Sequence, residues 1–221
     1  MPPQAKADFV WAMEDVVEGY TCPYDPRRPQ VCIDETRQQL VAETRGPSPA
    51  APGRAERIDF AYARQGTAHW FMIFEPLAGQ RWVKVTARRT AIDFAQVMQE
   101  WVDEQDPQAA KIVLVMDNLN THKPASLYEA FAPAEARRLM ERLEMHYPPK
   151  HGSWLHMAET ALSVMATQCL KRRMPHSTIL RQEVGAWEQR RHQAKHTVDW
   201  RFTTPEARIK LKRLYPSIQL G

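Results

Sequence analysis

Two acids stand at the ends of short apolar runs. Asp34 follows Val31-Cys32-Ile33, and Asp117 follows the uninterrupted run from Ile112 to Met116. A third acid, Glu159, lies in a long stretch with helical spacing. A short apolar run bounded by polar residues suits a strand covered on both faces. An acid just past such a strand sits at the rim of the sheet, where open α/β proteins bind ligands. If the two strands are neighbours and the helix crosses them, the three carboxylates converge. They then repel and raise one another's pKa unless a cation lies among them. Oxygen-only donors suit Mg2+ or Mn2+, not zinc. Two such ions, roughly 3.5–4 Å apart, can activate water and stabilise a leaving oxygen in phosphodiester cleavage. Plainer readings exist. Asp117 with Asn118 could simply cap a turn, and 26 acids offer many triplets. Glu144 and Asp59 rival Glu159 as the third acid, though neither sits on a long helix. Strand alternation turns Glu35 away from Asp34, toward a neighbouring loop or base.

The elements that must hold these residues follow in order. Residues 1–29 read as a helix, with Phe9, Val10, Met13, Val16 and Val17 near the helical period, and then a Pro-rich tether. Residues 30–221 read as one larger unit. After the first strand, residues 42–57 form a loop dense in Pro and Gly, of a length that is usually functional. Three extended segments follow, IDFAYARQG, TAHWFMIFEPLAG and RWVKVT, punctuated at Gly66 and Gly79 as in an antiparallel meander. Thr90 is placed to cap an amphipathic helix through Gln105. Past Asp117 come helices split at Pro133, a short strand EMHYPP, and a helix from Ser153 to Arg173. Two further helical segments flank VDWRF, the last opening at Pro205. This order of strand, meander and alternating helices and strands is that of an α/β, ribonuclease H-like fold: a mixed five-stranded sheet flanked by helices.

Composition narrows the function classes. At 221 residues, 43% hydrophobic and 25% charged, the chain is ordinary globular material. No apolar run approaches the roughly 20 residues of a membrane span, and the start does not read as a secretory leader. Cys22, Cys32 and Cys169 lack CxxC spacing, which fits a reducing, cytoplasmic setting without disulfides or a zinc knuckle. Net charge is +4 with pI near 9.0. The bases cluster late, at 171–173, 189–196 and 208–213, either to meet phosphates or as solvated helix faces. His146, His151 and His156 fit no zinc spacing, and His192 with His196 makes half a site at most. Trp154 could stack on a base or pack. No Gly-rich phosphate loop is present.

Three local motifs go further. CIDET at 32–36, VLVMDNLNTH at 113–122 and PPKHGSWLHMAE at 148–159 resemble the catalytic domain of bacterial insertion-sequence transposases of the mariner superfamily, the IS-six-thirty type. The resemblance extends from Tyr24 to Ser217. It implies a metal-dependent DNA endonuclease and strand transferase, with Asp34, Asp117 and Glu159 holding two Mg2+ or Mn2+ ions. Glu35, Asn118, Asn120, His122, Lys150, His151, Trp154 and His156 would support them or contact DNA. The implied partners are double-stranded transposon ends, a TA target and a second copy of the chain, in a bacterial cytoplasm at the nucleoid. His156 stands where the family usually has Asn, which changes its reach and hydrogen bonding. No helix-turn-helix module is read ahead of the core, so a partner chain could supply one. The alternative is a non-catalytic relic that binds DNA or a full-length transposase and modulates it.

Overall fold

In the computed structural model, which describes residues 7–44, 52–53 and 61–216, side-chain alternation along one sheet divides the core in two. The chain runs α1 (Ala7–Thr21), β1 (Gln30–Glu43), β2 (Tyr62–Glu75), β3 (Gln80–Thr86), α2 (Ala91–Glu100), β4 (Ile112–Met116), α3 (Pro124–Ala130) and α4 (Pro133–Arg142). It continues through β5 (Leu143–His146), α5 (Met157–Gln168), α6 (Ser177–Ala194) and α7 (Thr204–Lys210). The five strands lie in the order β3-β2-β1-β4-β5. β1, β2 and β3 form the antiparallel meander, while β4 and β5 join β1 in parallel. This is the mixed, helix-flanked sheet expected from the sequence.

On one face Cys32, Trp70, Met72, Phe74 and Val115 pack with residues of α1, α5 and α6. On the other, Val31, Ile33, Phe71, Ile73, Leu114 and Met116 pack with α2, α3 and α4. Every residue of β4 is buried, as a central parallel strand with both faces covered requires. Helix α1 contributes Phe9, Met13, Val16, Val17 and Tyr20 to the first face. The N-terminal helix is therefore part of the core that holds β1.

Several local expectations need correcting. The two segments expected on either side of Gly66 form one strand, β2. Pairing with β1 slips by a residue between Gln39 and Val41, opposite Gly66, whose φ of +90° suits the bulge and would strain any side chain. β1 itself extends to Glu43, into the expected loop; most of that loop, and Asp59, lie outside the described residues. The helix expected over 153–173 is shorter at both ends. Ser153–Leu155 make a 3-10 turn, α5 begins at Met157, and the longest helix is instead α6, with 18 residues. Thr90 does cap α2, in a reciprocal box with Asp93, and a π turn at Trp101–Gln105 carries that helix to its expected end. No helix among the described residues is long and apolar enough to cross a membrane.

Candidate active site

The parallel register brings the first two acids together. Ile33 of β1 pairs with Met116 of β4, so Asp34 and Asp117 stand one step beyond, side by side at the rim. Both follow face alternation onto the side of the sheet covered by α1 and α5. Glu159 is in the first turn of α5, whose packing against β1 and β2 brings it to the same rim. The three carboxylates feel one another. Burial, reinforced by the charges of Asp117, Glu159 and Glu35, pushes the Asp34 carboxyl up to about 7 against the pull of the Glu35 backbone N–H. Burial and Asp117 also raise Glu159.

The next residue of β1 points the other way. Glu35 is buried, pairs with Arg89 at 3.5 Å, and contacts Nε2 of the fully buried His122. His122 Nδ1 lies 2.5 Å from Asp117 Oδ1. Burial by itself would lower the imidazole's pKa, but the hydrogen bonds to Asp117 and Glu35 outweigh it and hold the ring at about 9. The loop carrying His122 is pinned by its own backbone turn to Leu119 and by Ser126 Oγ donating to the Thr121 carbonyl. Tyr147 Oη donates to the His122 carbonyl at 3.0 Å.

A groove of about 670 Å³ opens over Asp117 and Glu159. Its walls include Asp8 and Trp11 of α1, Asn118, Leu119, the segment from Tyr147 to Ser153, and His156. His156, which is 4% exposed, precedes α5; burial holds it down at about 4, so the ring is neutral near pH 7. Neither of its ring nitrogens has a hydrogen-bond partner at good geometry among the described residues. Lys150 and His151 are exposed on the rim, His151 with a φ of 69°. Asn118 and Asn120 are exposed, and Asn120 accepts from Lys123 at 3.1 Å. Trp154, 47% exposed, stacks at 6.4 Å on Trp200 and sits outside the groove lining.

The rival acid Glu144 is engaged elsewhere, with Arg28 at 2.6 Å and His146 at 3.1 Å. His146 also binds Asp15, and His192 lies against the Arg81 backbone. Several late bases are spent on internal pairs: Arg172 with Glu183, Arg208 with Glu14 and Lys210 with Glu206. Sequence reasoning missed Arg89, Tyr147 and the α1 wall. Trp11 could have been found, because it falls off the apolar stripe of its helix; Arg89 carries no local signal.

The donor set is all carboxylate, and Asp34 carries mutual repulsion that a cation would relieve. Among the described residues, however, no three His, Cys, Asp or Glu side chains are close enough to form a ready metal cage. The acids reach one rim without closing round a point. That arrangement fits Mg2+, which is commonly held by one or two carboxylates with waters and substrate phosphates.

The family of DDE superfamily endonucleases matches residues 29–181, which include all three acids. The chain belongs to that family. No curated protein matches the sequence. Among solved structures, this DDE endonuclease domain is similar to the Mos1 mariner paired-end complex with Mn, at TM-score 0.56 and 12% identity, over 97% of this chain and 64% of that one. The Mos1 transposase paired-end complex with left transposon end gives 0.57 and 12%, over 97% and 63%. The Mos1 strand transfer complex gives 0.55 and 10%, over 96% and 63%. At such identities the likeness establishes the ribonuclease H-like fold of the DDE domain. The chain spans slightly less than two-thirds of those solved chains.

Proposed function

We propose that the chain is the catalytic domain of a mariner-superfamily transposase of the insertion-sequence type. It would nick DNA at element ends and join the freed 3′-hydroxyl to target DNA at a TA step. The observation carrying this reading is the adjacency of Asp34 and Asp117 across the parallel β1–β4 pair, with Glu159 lining the same open groove as Asp117. Asp34, Asp117 and Glu159 would hold two Mg2+ or Mn2+ ions, which when bound supply charge neutralisation and an activated oxygen nucleophile.

The chain's own residues do the rest. Lys150 and His151 at the rim attract the phosphate backbone, offsetting the acids below. His156, neutral and buried in the groove wall, shapes the groove beside Glu159. The α1 wall limits the width open to DNA and excludes part of the solvent. In both steps an oxygen attacks the phosphorus and a phosphate–oxygen bond breaks. The first attack is by water and leaves a 3′-hydroxyl; the second is by that hydroxyl on target DNA. Paired ends imply two copies of the chain, acting in the bacterial cytoplasm on nucleoid DNA.

The test is nicking of supercoiled plasmid by the purified chain with Mn2+ and Mg2+. Metal-dependent nicking that Asp34→Asn and Glu159→Gln abolish supports the proposal. DNA binding without nicking, unchanged by His156→Asn, would instead identify a relic that binds DNA without cutting it.

A further inference from the structure

Glu35, His122 and Asp117 form a continuous line of contacts from the interior of one sheet face to the groove on the other. His122 is fully buried, its ring 4.7 Å from that of Phe94, and each ring nitrogen meets a carboxylate. Glu35 is itself clamped by Arg89. Such a buried charged network is a poor source of stability, because desolvation offsets most of the attraction. What it does supply is direction. A surface-exposed Asp at a strand end rotates freely about its side-chain bonds, whereas Oδ1 of Asp117 is held by an imidazole that cannot turn.

We propose that His122, backed by Glu35, is a positioning residue that fixes the Asp117 carboxylate and directs it to bind a divalent cation through Oδ2. This deepens the reading of Asp117 as a metal ligand and rests on it. The Glu35 side chain, adjacent to Asp34 yet on the opposite face, then serves the second acid, while its backbone N–H donates to the first. Groups that orient a metal ligand in this way typically matter by about 10–100-fold in metal affinity.

The experiment is Mn2+ binding to the full chain, followed by electron paramagnetic resonance, alongside urea unfolding. His122→Phe keeps the ring packing on Phe94 but removes both donors. The double variant Glu35→Leu/His122→Phe also avoids leaving a buried carboxylate unpaired, which keeps the fold accessible. Both are expected to weaken Mn2+ binding by about 10–100-fold. His122→Gln, whose amide can still donate to Asp117, should recover most of the affinity. Should the folded double variant bind Mn2+ as tightly as the wild type, the pair is structural only and the proposal fails. If neither Phe variant folds, Glu35→Gln and His122→Gln decide: unequal Mn2+ affinities support positioning, and wild-type affinity in both overturns it. Asp117→Asn separates the two layers, because unchanged affinity there sinks the metal-ligand reading itself.

Discussion

The two ends of the same sheet each carry a pair of acids, and they serve different ends. At the rim where β1 and β4 leave their pairing stand Asp34 and Asp117; where those strands begin stand Glu75, ending β2, and Asp106. Burial pushes Asp34 and Glu75 alike up to about 7, each with help from a neighbouring carboxylate. A raised carboxyl therefore does not by itself distinguish a site. The surroundings do. Asp106 takes a fixed bond from Trp101 Nε1 at 2.7 Å and feels the Arg142 charge, and neither lower acid borders the groove. Of the upper pair, Asp117 opens on 670 Å³ of groove, with a protonated imidazole behind it and α5 bringing Glu159 to the same groove. Asp106 is tied to a neutral donor and Glu75 is buried away from the groove, while Asp117 and Glu159 face open space.

The largest expected effect follows from that contrast. Asp117→Asn should lower the rate of Mn2+-dependent plasmid nicking by about 10³-fold, the scale of a lost electrostatic contact in the transition state. Asp106→Asn should leave the rate within about threefold. Comparable losses in both variants would erase the distinction between the rims.

The pH dependence sharpens it. Between the ordinary carboxylate range and pH 7, the folded chain holds protons on Glu75 and Asp34 that the unfolded chain has released. Stability therefore falls as pH rises through that window, by roughly 1–3 kcal/mol for the buried Glu75. Glu75→Gln should flatten this part of the slope in urea titrations from pH 4.5 to 7.5 without changing nicking. On the proposed assignment of the ion to the upper rim, saturating Mn2+ should remove the Asp34 part and leave the Glu75 part. A slope untouched by metal would contradict the assignment. His122 adds a separate loss: its pKa is raised to about 9, so the stability it contributes is complete below about pH 6.5 and disappears as pH rises through 9.

The smallest effect belongs to the lower rim. Trp101→Phe removes the N–H that Asp106 accepts. It should cost roughly 1–3 kcal/mol in urea unfolding, with nicking unchanged. A fall in nicking among fully folded molecules would mean that the lower rim reaches the site.

Much of this molecule was readable along the chain. Continuous apolar runs marked β1 and β4, because a strand covered on both faces has no polar side to show. The acids ending those runs, and the helical spacing around Glu159, pointed to one rim. Period-two alternation separated Glu35 from Asp34, and Thr90 announced the start of α2 through its own hydrogen-bonding chemistry. Gly66 misled, because a glycine with positive φ serves a bulge within a strand as well as a turn between two. The fine start of α5 was also hidden, since a 3-10 turn and an α-turn share nearly the same spacing.

What only the tertiary structure decided depends on distance in space. Register between β1 and β4 aligned Asp34 with Asp117, and no local pattern encodes which strands pair. The line from Glu35 through His122 to Asp117 joins residues on two sheet faces, each unremarkable in its own segment. The wall that α1 builds beside the groove, and the internal ion pairs that neutralise bases such as Arg208, follow from packing of segments more than a hundred residues apart. Sequence sets each residue's chemistry and local period; close packing of distant segments determines which of those chemistries meet.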